Sequence, residues 1–398
     1  MSLDLTKVAS QVLEMITKFR ADGEERQKHL EYALEVLHDR ADDIDSLKKK
    51  IISSKTTWLV ANIVDGLDQH NQPSPLPADF TVIATDGSHI DVDRHQSTRC
   101  YLINIGSVLL HYGTSPEAVL DSVPSLYTAE EDLVITPTGD SRGRGQPVEG
   151  SLLGIKRGVD ECQQLAQLAS ELPSGDSTLA LLDGSLILWG LEAYPEFVTE
   201  VLLDKGFLRY LEEMRSIKDK KLALASYISF PRSTDVVNVL RVAICPHEIA
   251  DCDKYCPANK PRDCEMVSGV RDRDLFTSIL EQGERSELFI SPSKIQKRYG
   301  EHQVYFFYLK VDDEIARIEI PQWVARDDSL LNLTHSLVLD QCWRGQGYPV
   351  ALSEAHEQAV VTMSDRGNFW QLVESSLVGE KLPAFTSAKS RSKKTKWV

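Results

Sequence analysis

The stretch Thr81–Ile90, TVIATDGSHI, decides the reading of this chain: a short apolar, β-branched run ends in Asp86-Gly87-Ser88. It is echoed at Leu179–Glu192, LALLDGSLILWGLE, where a second apolar run ends in Asp183-Gly184-Ser185. Each run has the length and composition of a buried strand. An aspartate at the C-terminal end of such a strand is held by the sheet while its carboxylate faces the open edge, and a following glycine lets the chain turn away without crowding a ligand. Two such carboxylates on neighbouring strands can hold hard cations, which activate water in phosphodiester hydrolysis. Asp-Gly is also among the commonest turn dipeptides, so these local features by themselves leave a plain turn and a cation site evenly matched. Ser88 and Ser185 are assigned to turn hydrogen bonds, since neither sits in a G-x-S-x-G elbow.

Working outward, Arg99–Tyr112 reads as further strands, Glu149–Leu172 as a helix, Pro195–Ile217 as another helix and Leu222–Ser229 as a strand. Alternating strands and helices predict an α/β fold, a mixed sheet flanked by helices. Beyond it come a helix near Asp272–Gln282, β-rich sequence over Gln303–Val324, a helix near Ser329–Trp343, and a final strand and helix from Tyr348 onward. On the N-terminal side, Leu5 to about Ile63 lacks proline and repeats apolar residues at helical steps, which predicts two amphipathic helices broken near Gly23. Residues 1–70 are thus expected to form a helical arm, able to pair with another chain or to pack on its own domain. The Pro-rich stretch Gln72–Pro77 separates it from a main domain over 78–375.

The chain has 398 residues, 42% of them hydrophobic, enough for a substantial core. No run approaches the roughly 18 apolar residues of a membrane span, and the N-terminus lacks the features of a signal peptide, so a cytoplasmic protein with no membrane contact is expected. A net charge of -16 disfavours a passive nucleic-acid coat. It is compatible with an enzyme that gathers carboxylates around cations. The basic tail at 384–398, with Lys389, Arg391, Lys393, Lys394 and Lys396, reads as disordered and solubilising.

Further landmarks follow in order: a helix carrying Asp160-Glu161, the second triplet, and GYPVALSEAH ending at His356. Together with TVIATDGSHI this order resembles the NurA family of nucleases, over about Thr81 to Val373. The resemblance implies an RNase H-like core and manganese-dependent (or magnesium-dependent) 5′-to-3′ exonuclease and single-strand endonuclease activity. It also implies a homodimer, action on DNA single strands and ends in resection and repair, and a hexameric HerA-type ATPase partner. Carried over by residue, Asp86 and Asp183 match the metal-binding aspartates, Tyr348 the active-site tyrosine and His356 the late histidine. Glu161 matches the acidic residue of the intervening helix, with Asp160 as the alternative. Asp86, Glu161, Asp183 and His356 are the expected ligands of the catalytic Mn²⁺ or Mg²⁺. Two other readings stand beside this one: a catalytically silent DNA-binding or scaffold subunit, and an RNase H-like ribonuclease or phosphotransferase. No phosphate-binding glycine loop supports phosphotransfer.

Four of the seven cysteines crowd together: Cys245, Cys252, Cys256 and Cys264, spaced C-x6-C-x3-C-x7-C. They lie in a polar stretch read as a Cys-rich insertion at about 234–268, whose folding energy a metal could supply. Four thiolates suit a structural Zn²⁺ first and also an iron–sulfur cluster, with free or partly buried cysteines as the third reading. The lack of C-x2-C knuckles weakens a zinc ribbon.

Overall fold

The computed structural model describes residues 4–93, 98–137, 145–173, 175–217, 221–256 and 262–382; the basic tail lies outside these. The chain divides into two units. The first joins Met1–Pro73, Ile228–Lys294 and Tyr305–Ile318, and the second joins Ser74–Tyr227, Ile295–Val304 and Glu319–Val398.

In the second unit, strand Phe80–Ile90 is central. It pairs antiparallel with Tyr101–Tyr112 and parallel with Ser177–Asp183. Outside these lie Glu117–Tyr127, antiparallel to Tyr101–Tyr112, and Lys221–Ile228, parallel to Ser177–Asp183. Residues 80–85 are buried throughout, as expected of a strand covered on both faces. Helix Ser151–Glu171 buries Leu152, Leu153, Val159 and Leu165 in a core with Ile83, Ile103 and Ala180. The expected strands over Arg99–Tyr112 are one strand. Glu117–Tyr127 was not read from the sequence. It is an edge strand with mostly exposed side chains and Pro124 inside it, so it lacks the apolar alternation that marks a half-buried strand. From Tyr348 onward the described chain holds helices Val350–Ala359 and Met363–Gly379, and the expected final strand is absent there.

In the first unit, Leu5–Ala41 is one helix that runs through Gly23, and the break falls at Asp42-Asp43, before helix Ile44–Ser53. An exposed glycine costs a helix only about 1 kcal/mol, too little to stop a run this long. These helices do not form a unit of their own. Ala33, Leu37, Leu47 and Ile51 share a core with Val236, Leu240 and Phe276. The stretch from 234 therefore begins as a core helix, Asp235–Ile244, buried along most of its length, and not as a polar insertion. The C-terminal half of that stretch remains polar. Among the described residues no helix is long and apolar enough to cross a membrane.

Candidate active site

The two triplets have different local structures. Asp183 ends its strand, and Gly184 turns away at φ +85°, a conformation open to glycine at little cost. Asp86-Gly87-Ser88 makes no turn, because strand Phe80–Ile90 continues through it. Pairing with Ser177–Asp183 stops at Thr85↔Leu182, whereas pairing with Tyr101–Tyr112 runs on through Asp86↔Gly106 and Ser88↔Asn104. Asp86 is thus the first residue beyond the parallel ladder.

Strand alternation sends residues 85 and 87 to one face and 86 and 88 to the other. On the first face, the Thr85 hydroxyl donates to the carbonyl of Glu161 at 3.0 Å. A Cβ at Gly87 would stand 2.6 Å from Glu161 Oε1 and 2.9 Å from Arg157 Cγ. A side chain here would push the Glu161 carboxylate and the Arg157 stem aside, so glycine leaves the space in which that carboxylate stands. On the second face, a Cβ at Gly106 would stand 2.2 Å from the Ala355 carbonyl oxygen and 2.5 Å from the Ala359 nitrogen. Helix Val350–Ala359 therefore rests on bare backbone. Its last carbonyls are fastened to the sheet: Ser88 Oγ donates to Ala359 O at 2.5 Å, and Asn104 Nδ2 to Gln358 O at 3.2 Å and Ala359 O at 3.0 Å. One turn earlier, His356 Nδ1 stands 2.7 Å from Asp86 Oδ2.

A Gly106→Ala substitution is expected to destabilise the protein by about 1–3 kcal/mol, the usual cost of overpacking, because the methyl meets helix backbone that cannot rotate aside. Urea unfolding at unchanged stability would contradict this account of how the helix is seated.

Tyr348 enters from a glycine-rich turn, 345–347, after helix Asp328–Arg344. A Cβ at Gly345 would lie 1.9 Å from the Tyr348 carbonyl oxygen, so the turn closes only on glycine. The Tyr348 ring stands edge-on to Tyr227, with centroids 5.4 Å apart, and its hydroxyl hydrogen-bonds Asp183. Burial and the adjacent Asp183 charge push the phenol well above its ordinary range, so it stays a donor. Asp183 is exposed at its strand end, yet desolvation by its surroundings raises its carboxyl; the Tyr348 hydrogen bond opposes this and Asp86 adds to it.

Glu161 is 7% exposed. Burial raises its carboxyl to about 7, with Asp86 and Asp183 contributing in the same direction and Arg157 opposing. Arg157 Nε is 2.9 Å from Glu161 Oε1, but the N–H is not aimed at it, and neither atom gains a hydrogen bond. Asp160 is engaged elsewhere, with Lys156 Nζ at 2.5 Å and the Tyr127 hydroxyl at 3.1 Å. Of the adjacent acidic pair, Glu161 is the one whose charge acts with Asp86 and Asp183. Arg157 went unread in the sequence, although its position four residues before Glu161 is the spacing of a helical ion pair. Gly106 also went unread; an isolated glycine in an apolar strand marks close backbone approach.

Among the described residues no three His, Cys, Asp or Glu side chains stand assembled around a single ion position. Each carboxylate is turned to a protein partner instead: Asp86 to His356, Asp183 to Tyr348 and Glu161 to Arg157. The donor chemistry nevertheless fits a hard divalent cation, with three carboxylates at close quarters and a buried Glu161 oxygen lacking a hydrogen bond.

Residues 80–361, more than half of the chain, match the family model described as NurA domain. The crystal structure of the NurA nuclease from Sulfolobus solfataricus is similar over 86% of this chain and 95% of that one, at 14% identity and a TM-score of 0.43. Prototype foamy virus protease-reverse transcriptase is similar over 40% of this chain and 19% of that one, at 13% identity and a TM-score of 0.21. At those scores neither likeness bears on fold or function. No curated protein matches the chain in sequence.

Proposed function

The chain belongs to the NurA domain family, and on that premise we propose that it is a metal-dependent nuclease that hydrolyses DNA phosphodiesters at the site of Asp86, Glu161 and Asp183. The observation that carries the reading is a group of three carboxylates, from two strand positions and one helix, whose charges act on one another; burial chiefly, and that mutual action in addition, raises Glu161 and Asp183. Carboxylates perturbed in this way cluster at functional sites, and a bound cation would relieve their repulsion. The sheet order also supports an RNase H-like core: three antiparallel strands, then two parallel ones beside the first.

Asp86, Glu161 and Asp183, with His356 at the rim, would hold one or two divalent cations, Mn²⁺ or Mg²⁺. When bound, such cations polarise a phosphate oxygen and lower the pKa of water. The chain's own residues do the rest. Tyr348 orients the Asp183 carboxylate through its hydroxyl. Asp86 accepts from His356 Nδ1, which leaves Nε2 of this exposed ring either to join the cation or, in its place, to exchange a proton with a phosphate or leaving oxygen. Arg157 and Arg366 both act on His89 beside the site, and they supply local positive charge for a phosphodiester backbone in an otherwise acidic chain. Within the same proposal, DNA ends and single strands are the substrate, 5′-to-3′ exonuclease and single-strand endonuclease the activities, end resection and repair the setting, and the working form a homodimer with a HerA-type hexameric ATPase.

The test is degradation of end-labelled single- and double-stranded DNA, and of RNA, with Mn²⁺, Mg²⁺ or EDTA. Cleavage of DNA with Mn²⁺ and its loss in EDTA are expected. No cleavage with any metal would favour a silent subunit, and preference for RNA would replace the substrate. His356→Ala is expected to lower the cleavage rate by about 10²-fold, the lower range for a proton-transfer group. An unchanged rate would remove His356 from the chemistry.

A further inference from the structure

The four clustered cysteines belong to the first unit, apart from the carboxylates, and the nuclease reading leaves them unexplained. All four are free and half-buried. Cys252 and Cys256 bracket one helical turn, with Cys256 N donating to Cys252 O at 3.0 Å. Cys245, Cys256 and Cys264 line one cavity of about 120 Å³. Cys252 is close enough to the other three for their charges to act on it. Two cations attend the group. Arg241 Nη2 is 3.9 Å from Cys264 Sγ, with its guanidinium over the Trp58 ring and its Nε buried without a partner. Lys50 Nζ donates to the Cys245 carbonyl at 2.6 Å.

From this arrangement we propose that Cys245, Cys252, Cys256 and Cys264 ligate a [4Fe–4S] cluster. One feature separates a cluster from a single zinc ion. Zinc binds thiolates at about 2.3 Å, so its four sulfurs converge on one point and leave no void. Here Cys245, Cys256 and Cys264 line a cavity of about 120 Å³, against roughly 10–15 Å³ for one water-sized body, and among the described residues the cysteines do not converge on an ion position. A cubane, whose irons stand between the thiolates, holds the sulfurs further apart. The Arg241 and Lys50 charges suit the net negative charge of a thiolate-ligated cluster. Its binding would fasten the polar half of the 234–268 stretch to the core helix Asp235–Ile244.

The test uses the full-length chain, purified without oxygen and also reconstituted with ferrous iron and sulfide. About four irons and four acid-labile sulfides per chain are expected, with the broad visible absorption of iron–sulfur proteins and a Mössbauer spectrum of a cubane. Cys252→Ser and Cys256→Ser are each expected to lower bound iron at least fivefold while far-ultraviolet circular dichroism stays near wild type. The wild-type iron, sulfide and zinc contents decide the matter even if a variant fails to fold. One zinc per chain with no iron, or folded protein that takes up no iron on reconstitution, would overturn the assignment. So would variants that keep their iron. None of these outcomes depends on nuclease activity.

Discussion

Glu161→Gln is expected to abolish cleavage and, at alkaline pH, to make the metal-free protein more stable. Folding raises the Glu161 carboxyl from 4.5 to about 7, chiefly through burial. The folded protein therefore keeps a proton that the unfolded chain releases between those values. The resulting stabilisation is fully present below about pH 4.5 and is lost as pH rises through about 7. The gap corresponds to ~3 kcal/mol. Glutamine stays neutral at every pH, so the variant's advantage should be near zero at pH 5 and approach ~3 kcal/mol at pH 8, less the lost attraction to Arg157. Urea unfolding in EDTA across that range measures it. A variant no more stable than wild type at pH 8 would mean that Glu161 is not confined as a charge. The same linkage makes Mn²⁺ binding release a proton near neutrality, so the cation should stabilise the protein more at pH 8 than at pH 6.

The second large effect is on catalysis. Asp183→Asn and Asp86→Asn should each lower DNA cleavage by about 10³-fold or more, because a neutral amide removes a cation ligand while conserving shape. Asp183 lies exposed beyond the buried part of its strand, so thermal stability should change little. Tyr348→Phe should cost less, about 10–100-fold, since it loses only the hydroxyl that orients Asp183. Asp183→Asn with more than a tenth of wild-type activity would sink the proposed mechanism. Tyr348→Phe as damaging as Asp183→Asn would instead give the hydroxyl a direct contact with substrate.

Much of this site was open to reading from the chain itself because it rests on short-range features. Val82–Thr85 and Leu179–Leu182 are apolar runs of strand length, and each delivers an aspartate where its buried part ends. The Asp183-Gly184 turn could be read for the same reason, since glycine's freedom at positive φ is local. The helical phase of Asp160 and Glu161 could not. The two are adjacent, both are buried, and only the packing of helix Ser151–Glu171 against Gly87 decides which one acts with Asp86 and Asp183.

The first triplet marks the division most clearly. The sequence by itself determined that Asp86 follows a buried strand and that glycine comes next, which favoured a turn. The tertiary structure decided against the turn: Tyr101–Tyr112 goes on pairing through Asp86 and Ser88 after Ser177–Asp183 has stopped. Gly87 is glycine because Glu161, 74 positions later in the chain, needs the space a Cβ would fill. Backbone preference is a property of a few consecutive residues. Ladder pairing and close approach are properties of residues brought together from far along the chain, and the local run of sequence carries no record of its partners.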